Sequence, residues 1–120
     1  VKNLYAGSGS GQLKISIKST DPLTAADQQI MLRETVRGVA KQHQHIASFL
    51  PKIFADTAGN GTPIYFSLWE NDLNVTGVNS PSRLSEITEY FLAGILYHLP
   101  ALMAVTTPSV NSFRRILPQT

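Results

Sequence analysis

Between Leu13 and Lys18 the chain alternates, with Leu13, Ile15 and Ile17 apolar and Lys14, Ser16 and Lys18 polar. That period of two predicts a half-buried strand near residues 12–18. From Asp21 the period changes. Ala26, Ile30, Val36, Val39 and Ala40 recur at steps of three and four, or multiples of them, which predicts an amphipathic helix to about His43. Asp21 suits its N-cap and Pro22 its first helical position, with Thr24 and Asp27 offering an overlapping second cap. Ile46 to Phe54 returns to a strand pattern, which Pro51 confines to an edge, a bend or a strand end. Ile64 to Trp69, β-branched and aromatic, reads as a buried strand. Glu70-Asn71-Asp72 then reads as a hairpin turn into a short strand at Leu73-Asn74-Val75.

Asn79-Ser80-Pro81 opens a loop, and Ser82 or Ser85 caps the next helix, with Glu86 and Glu89 in its first turns. Leu84, Ile87, Phe91, Leu92, Ile95, Leu96 and Leu99 make this helix broadly apolar, so it is expected to be largely buried. A short helix from Pro100 to Val105 follows, ended by Thr106-Thr107-Pro108. Asn111 to Leu117 reads as a loop or short turn that carries Arg114 and Arg115. Together these elements predict an α+β fold, a mostly antiparallel sheet with the helices packed on one face. Its strands are expected near residues 12–18, 47–53 and 63–70.

Composition narrows the function classes. The 120 residues are 42% hydrophobic and 15% charged, which is globular and rather apolar, and such a piece is expected to leave core surface uncovered. A net charge of +2, with Lys and Arg scattered rather than striped, argues against a nucleic-acid partner. The absence of cysteine excludes a disulfide framework, cysteine redox chemistry and a thiolate zinc cluster. The apolar run from Tyr90 to Leu99 is too short to span a bilayer and is broken by His98 and Pro100, so no membrane partner is expected.

Four stretches carry candidate chemistry. Gly7-Ser8-Gly9-Ser10-Gly11 is either a turn into the first strand or a phosphate cradle, although neither a helix start nor a Lys-Ser/Thr pair follows it. Arg33 and Arg37, one turn apart with Glu34 beside them, form a solvated helix face or a partner surface. His43 and His45 have alternate spacing that suits metal ligands on a strand, but they fall where a helix ends and its last carbonyls need partners. Gly59-Asn60-Gly61 is either an ordinary turn before a core strand or a loop that aims its N–H groups at an anion.

A resemblance sharpens the last of these. Phe49-Leu50-Pro51-Lys52, Gly59-Asn60-Gly61 and Ser67-Leu68-Trp69 resemble the glutamine synthetase pattern F-M/V-P-K, a G-S-G loop, then x-H-x-H-x-S-L-W. Gly11-Gln12-Leu13-Lys14-Ile15 is similar to the family's G-Q-F-E-I/V strand, and Pro108 to Arg115 to its P-x-x-N-S-Y/F-x-R segment. The order and spacing agree over essentially the whole chain. The resemblance, nearest in flavour to the type I-like branch, implies that residues 1–120 are part of a catalytic domain, lacking the N-terminal domain and the C-terminal part of the active site.

It also implies a reaction: ATP phosphorylates the side-chain carboxylate of glutamate, and ammonia displaces the phosphate, with two Mg²⁺ or Mn²⁺ ions holding the phosphoryl group. Gly59 matches a backbone contact to glutamate, Arg115 the arginine that grips its carboxylate, and Ser67 a residue near the nucleotide. The metal positions differ. Gly7 and Lys14 stand where the family pattern H-x-E-x-G-x-G-Q-F-E has its glutamates, Pro63 replaces the ligand histidine and Tyr65 the second histidine of the pair. Lys14 changes the local charge by two units, and one unit pair at about 4 Å is worth about 4 kcal/mol at an effective dielectric of about 20. The resemblance therefore implies a homo-oligomeric, cytoplasmic relative that meets glutamate or ATP, with no Mg²⁺ or Mn²⁺ held by this chain and the ligase activity degenerate. The alternative is an active ligase of the family, turned towards another amine acceptor.

Overall fold

The computed structural model of the chain describes residues 1–77 and 84–116. The loop expected at Asn79–Pro81, the alternative cap at Ser82 and the end of the last segment at Leu117 lie outside the described residues. The chain divides into two compact units, Val1–Gly61 with Asn111–Thr120, and Thr62–Val110.

In the first unit, β1 (Asn3–Ala6) pairs antiparallel with β2 (Leu13–Ser16), Tyr5 standing opposite Lys14. The glycine run between them closes the hairpin. Gly7 N–H donates to the Gln12 carbonyl at 2.7 Å, Gln12 N–H to the Gly9 carbonyl at 3.1 Å, and Gly11 takes a positive φ of 67°. No helix follows, so this run is a turn and not a P-loop. β1 was not expected: four residues before a glycine run carry too short a pattern to register.

The long helix α1 (Pro22–Gln42) begins and ends where its signals stand. The Asp21 carboxylate accepts from Thr24 N–H at 3.0 Å, and Pro22 opens the first turn without wasting a donor. At the other end Gln44, with φ 59°, turns the backbone left-handed. Gln44 N–H then reaches the Lys41 carbonyl at 3.1 Å and His45 N–H the Ala40 carbonyl at 2.8 Å. These are the two bonds of a Schellman motif. His43 and His45 thus belong to the helix-ending turn. The covered face of α1 is not quite the one expected: Ala25, Gln29, Leu32, Arg33, Val36 and Ala40 are half-buried, while Ile30 and Val39 are exposed.

Residues 47–53 form no strand. Pro51 lacks a donor, and neighbouring backbone groups bond to asparagine side chains instead of a ladder. The segment 111–116, expected as a loop, is helical within α4 (Val110–Ile116).

In the second unit the expected strand at 63–70 shrinks to β3 (Trp69–Glu70), paired antiparallel with β4 (Leu73–Asn74). Residues 62–68 form no strand. The turn between β3 and β4 places both Asn71 and Asp72 at positive φ, 46° and 63°, the geometry of a two-residue type I′ hairpin. Helix α2 (Glu86–Tyr97) starts at Ser85, whose hydroxyl accepts from Thr88 N–H at 3.3 Å and donates to the Val75 carbonyl at 2.7 Å. Thr88 Oγ1 donates to the Thr76 carbonyl at 3.3 Å, and Leu68 N–H donates to Thr76 Oγ1 at 2.6 Å. Three hydroxyls therefore fasten the hairpin to the start of α2. Phe66 and Phe91 meet edge-to-face with centroids 5.6 Å apart.

His98 ends α2 and precedes α3 (Leu99–Thr106), which is bent 67° from it. Neither is long and apolar enough to cross a membrane as a single helix among the described residues. The burial expected of α2 is not found: its buried residue is Thr88, and Tyr90 and Leu96 lie open. Among the described residues no hydrophobic side chain is fully buried, so polar groups such as Lys52, Ser85, Thr88 and Ser112 occupy the interior positions. Among the described residues the architecture is α+β, with four helices and every strand pair antiparallel.

Candidate functional site

The first unit gathers three distant segments around Gly59. A Cβ at this position would lie 2.7 Å from the Pro51 carbonyl oxygen and 2.8 Å from Arg115 Cγ. Only a glycine leaves room for the arginine to pass so close. The Arg115 chain runs on beside the loop, its Nη1 3.8 Å from where a Cβ on Gly61 would stand. Arg115 sits in the last turn of α4, a position the helix dipole favours for a cation. A guanidinium lying along a glycine loop is suited to a carboxylate, which it can take up in a two-point contact.

The loop is anchored on both sides. Asn60 N–H donates to the Pro51 carbonyl at 2.7 Å, and Asn60 Nδ2 to the Leu50 carbonyl at 2.9 Å. From the hairpin, Gln12 Nε2 donates to the Gly59 carbonyl at 3.1 Å and to Asn60 Oδ1 at 2.7 Å. The other end of that carboxamide, Gln12 Oε1, accepts from Gly9 N–H at 3.0 Å. Ahead of the loop in the chain, Lys52 is 8% exposed, and its ammonium donates to the Thr57 carbonyl at 2.6 Å.

Gln12, Asn60, Lys52 and Asn111 were not assigned roles from sequence. Each lies inside a motif that drew attention for its neighbours. The available signal was a carboxamide flanked by glycine, at Gly11-Gln12 and at Gly59-Asn60-Gly61, where little else can bond.

The remaining candidates divide between the two units. Lys14 lies exposed on β2, in the first unit, so solvent meets its ammonium. Gly7, also in the first unit, faces the Gln12 side chain: an added Cβ would stand 2.7 Å from Gln12 Cδ and Cγ. Pro63, Tyr65 and Ser67 belong to the second unit. Tyr65 is 90% exposed, and Ser67 Oγ accepts from the Trp69 indole N–H at 2.9 Å. Gly7, Pro63 and Lys14 offer a divalent ion no carboxylate or imidazole, and among the described residues no three His, Cys, Asp or Glu side chains come together. This donor set does not fit Mg²⁺ or Mn²⁺, which require several oxygen ligands.

Motif order and antiparallel α+β folding point to one family. The profile of the glutamine synthetase catalytic domain matches residues 1–120, and the chain belongs to that family. It is 37% identical over 120 residues to type-1 glutamine synthetase 1 of Dictyostelium discoideum, covering 98% of this chain and 24% of that protein. Against the glutamine synthetase of Halobacterium salinarum it is 42% identical over 110 residues, 90% of this chain and 24% of the relative. The gamma-glutamylpolyamine synthetase of Streptomyces coelicolor is 34% identical over 119 residues, 98% of this chain and 26% of the relative. The chain thus spans about a quarter of the length of the curated relatives it matches.

Proposed function

We propose that the protein is a glutamine synthetase relative that retains a glutamate-binding loop and has lost the two-metal ligase centre. The observation that carries this reading is the close passage of Arg115 along Gly59, at a position where no side chain fits, while Gly7, Lys14 and Pro63 offer no metal ligand. In this reading Arg115 grips a carboxylate of glutamate, Gly59 supplies a backbone contact, and Ser67 lies near ATP. The full-length protein acts as a cytoplasmic homo-oligomer with a structural or ligand-binding role.

Calorimetric titration of the full-length protein with L-glutamate, with and without Mn²⁺ and ATP, tests this. Glutamate is expected to bind without metal, and no Mg²⁺- or Mn²⁺-dependent γ-glutamyl product is expected. Tight Mn²⁺ binding together with glutamine formation would overturn it.

A second reading has a specific observation in its favour. Similarity to a gamma-glutamylpolyamine synthetase over 98% of the chain supports an active ligase with an amine acceptor other than ammonia. Such an enzyme needs replacement metal ligands from outside these residues. Supplying ATP, glutamate and a polyamine in the same assay separates the two, since only the ligase yields the conjugate.

A further inference from the structure

The Gln12 carboxamide makes three hydrogen bonds in two directions, to Gly9 N–H on its own hairpin and to the Gly59 carbonyl and Asn60 Oδ1 across a sequence gap of 47 and 48 residues. To reach them, the side chain folds back over Gly7, occupying the space a Cβ would take there. Gly7 has no positive φ, so its backbone would accept an alanine. The three atoms nearest to a Cβ at position 7 all belong to the Gln12 side chain, so a residue there would displace the carboxamide from its bonds.

We propose that Gln12 is a positioning residue that clasps the Gly59–Gly61 loop into the shape that receives Arg115, and that Gly7 is glycine to let it do so. The second half of this proposal assigns a role to a position where the family resemblance has a carboxylate. The missing side chain at position 7 is then a requirement of the clasp as well as a lost ligand. Asn60 completes the device: its Oδ1 takes the Gln12 donor while its Nδ2 holds the Leu50 carbonyl, so one carboxamide ties the hairpin to the segment before the loop. The inference rests on the glutamate-binding reading for its effect on affinity, but not for the clasp itself.

The test compares Gln12→Met, Gly7→Ala and the double variant in the full-length protein. Gln12→Met keeps the length and removes the polar atoms; Gly7→Ala leaves Gln12 chemically intact but displaces it. Two readouts are taken, hydrogen exchange at the Asn60 amide and the dissociation constant for L-glutamate, with exchange along α1 as the internal reference. Each single variant is expected to speed Asn60 exchange about tenfold, as the loss of two hydrogen bonds implies, and to weaken glutamate to a similar extent. The α1 amides are expected to be unchanged. The double variant is expected to be no worse than either single one, because both remove the same clasp.

Additive effects in the double variant, or an Asn60 amide indifferent to Gln12→Met, overturn the proposal. Faster exchange with unaltered glutamate affinity overturns the positioning role. If the parent protein binds no glutamate, the carboxylate reading of the site falls, and the exchange pattern still upholds or overturns the clasp by itself.

Discussion

Asn111 grips the peptide of Lys52 from both sides. Lys52 N–H donates to Asn111 Oδ1 at 2.8 Å, and Asn111 Nδ2 donates to the Lys52 carbonyl at 2.7 Å. One side chain supplies what a neighbouring strand would otherwise provide, so both backbone groups of Lys52 are paired without a ladder. Asn111→Leu removes both partners from a residue only 8% exposed. The expected cost is about 1–3 kcal/mol of stability, read by denaturant unfolding of the full-length protein. Asn111→Asp keeps the acceptor and is expected to fall between parent and leucine variant.

Gly59→Ala sets a methyl between the Pro51 carbonyl and Arg115 Cγ. The arginine stem has to move, since the carbonyl belongs to a segment bonded to Asn60. Glutamate affinity is expected to drop at least about tenfold, the equivalent of about 1.4 kcal/mol, in a calorimetric titration. An unchanged dissociation constant would remove Arg115 from the site.

Ser85 is a cap and a tether at once, bonding Thr88 N–H and the Val75 carbonyl. Ser85→Ala loses both, and the expected destabilisation is about 1–2 kcal/mol. Exchange measured at the first turn of α2 is expected to rise together with exchange at Leu68, because Thr76 and Thr88 share the same hydroxyl network.

Asp21 gives the pH dependence. Its hydrogen bonds from Thr24, side chain first and backbone second, hold the carboxyl below its ordinary value of 3.8. A lowered folded-state value means the cap contributes fully above 3.8 and is lost as pH falls through the folded value. The melting temperature of Asp21→Ala is therefore expected to trail the parent near neutrality and to converge with it in acid. Asp21→Asn, which keeps an acceptor but does not titrate, is expected to show no convergence in that window.

Gln44 occupies a left-handed position that costs a non-glycine residue about 1–3 kcal/mol. Gln44→Gly relieves this at some expense in unfolded-chain entropy, and a net gain of about 1 kcal/mol is expected in thermal or denaturant unfolding. Loss of stability instead would mean the Gln44 side chain holds something in place.

Helices were legible where short-range chemistry marks them. Asp21-Pro22 and Ser85 announce starts, and the residues from His43 announce an end, because capping acts within a turn of chain. Strands were less so: β2 alternates clearly, yet residues 47–53 show the same apolar pattern and are held by carboxamides instead. Pairing is decided by what lies alongside, which no local pattern records. The exposed face of α2 teaches the same point, since periodicity tells which side is apolar and not what covers it. Motifs single out Gly59 and Arg115, which the fold brings close together, whereas Gln12 and Asn111 resemble ordinary surface carboxamides until the fold brings their partners near.

The first unit is interrupted by the second, which runs from Thr62 to Val110. Lys52 consequently waits for Asn111, 59 residues further on, and Gly59 waits for Arg115 on the same helix. On a chain emerging in order, the hairpin, α1 and the glycine loop are all made before the residues that complete them. Closing so large a loop costs entropy before any contact repays it, which makes this a late event in folding. The glycine loop can be clasped by Gln12 in the meantime, while the arginine that will lie along it is still to come.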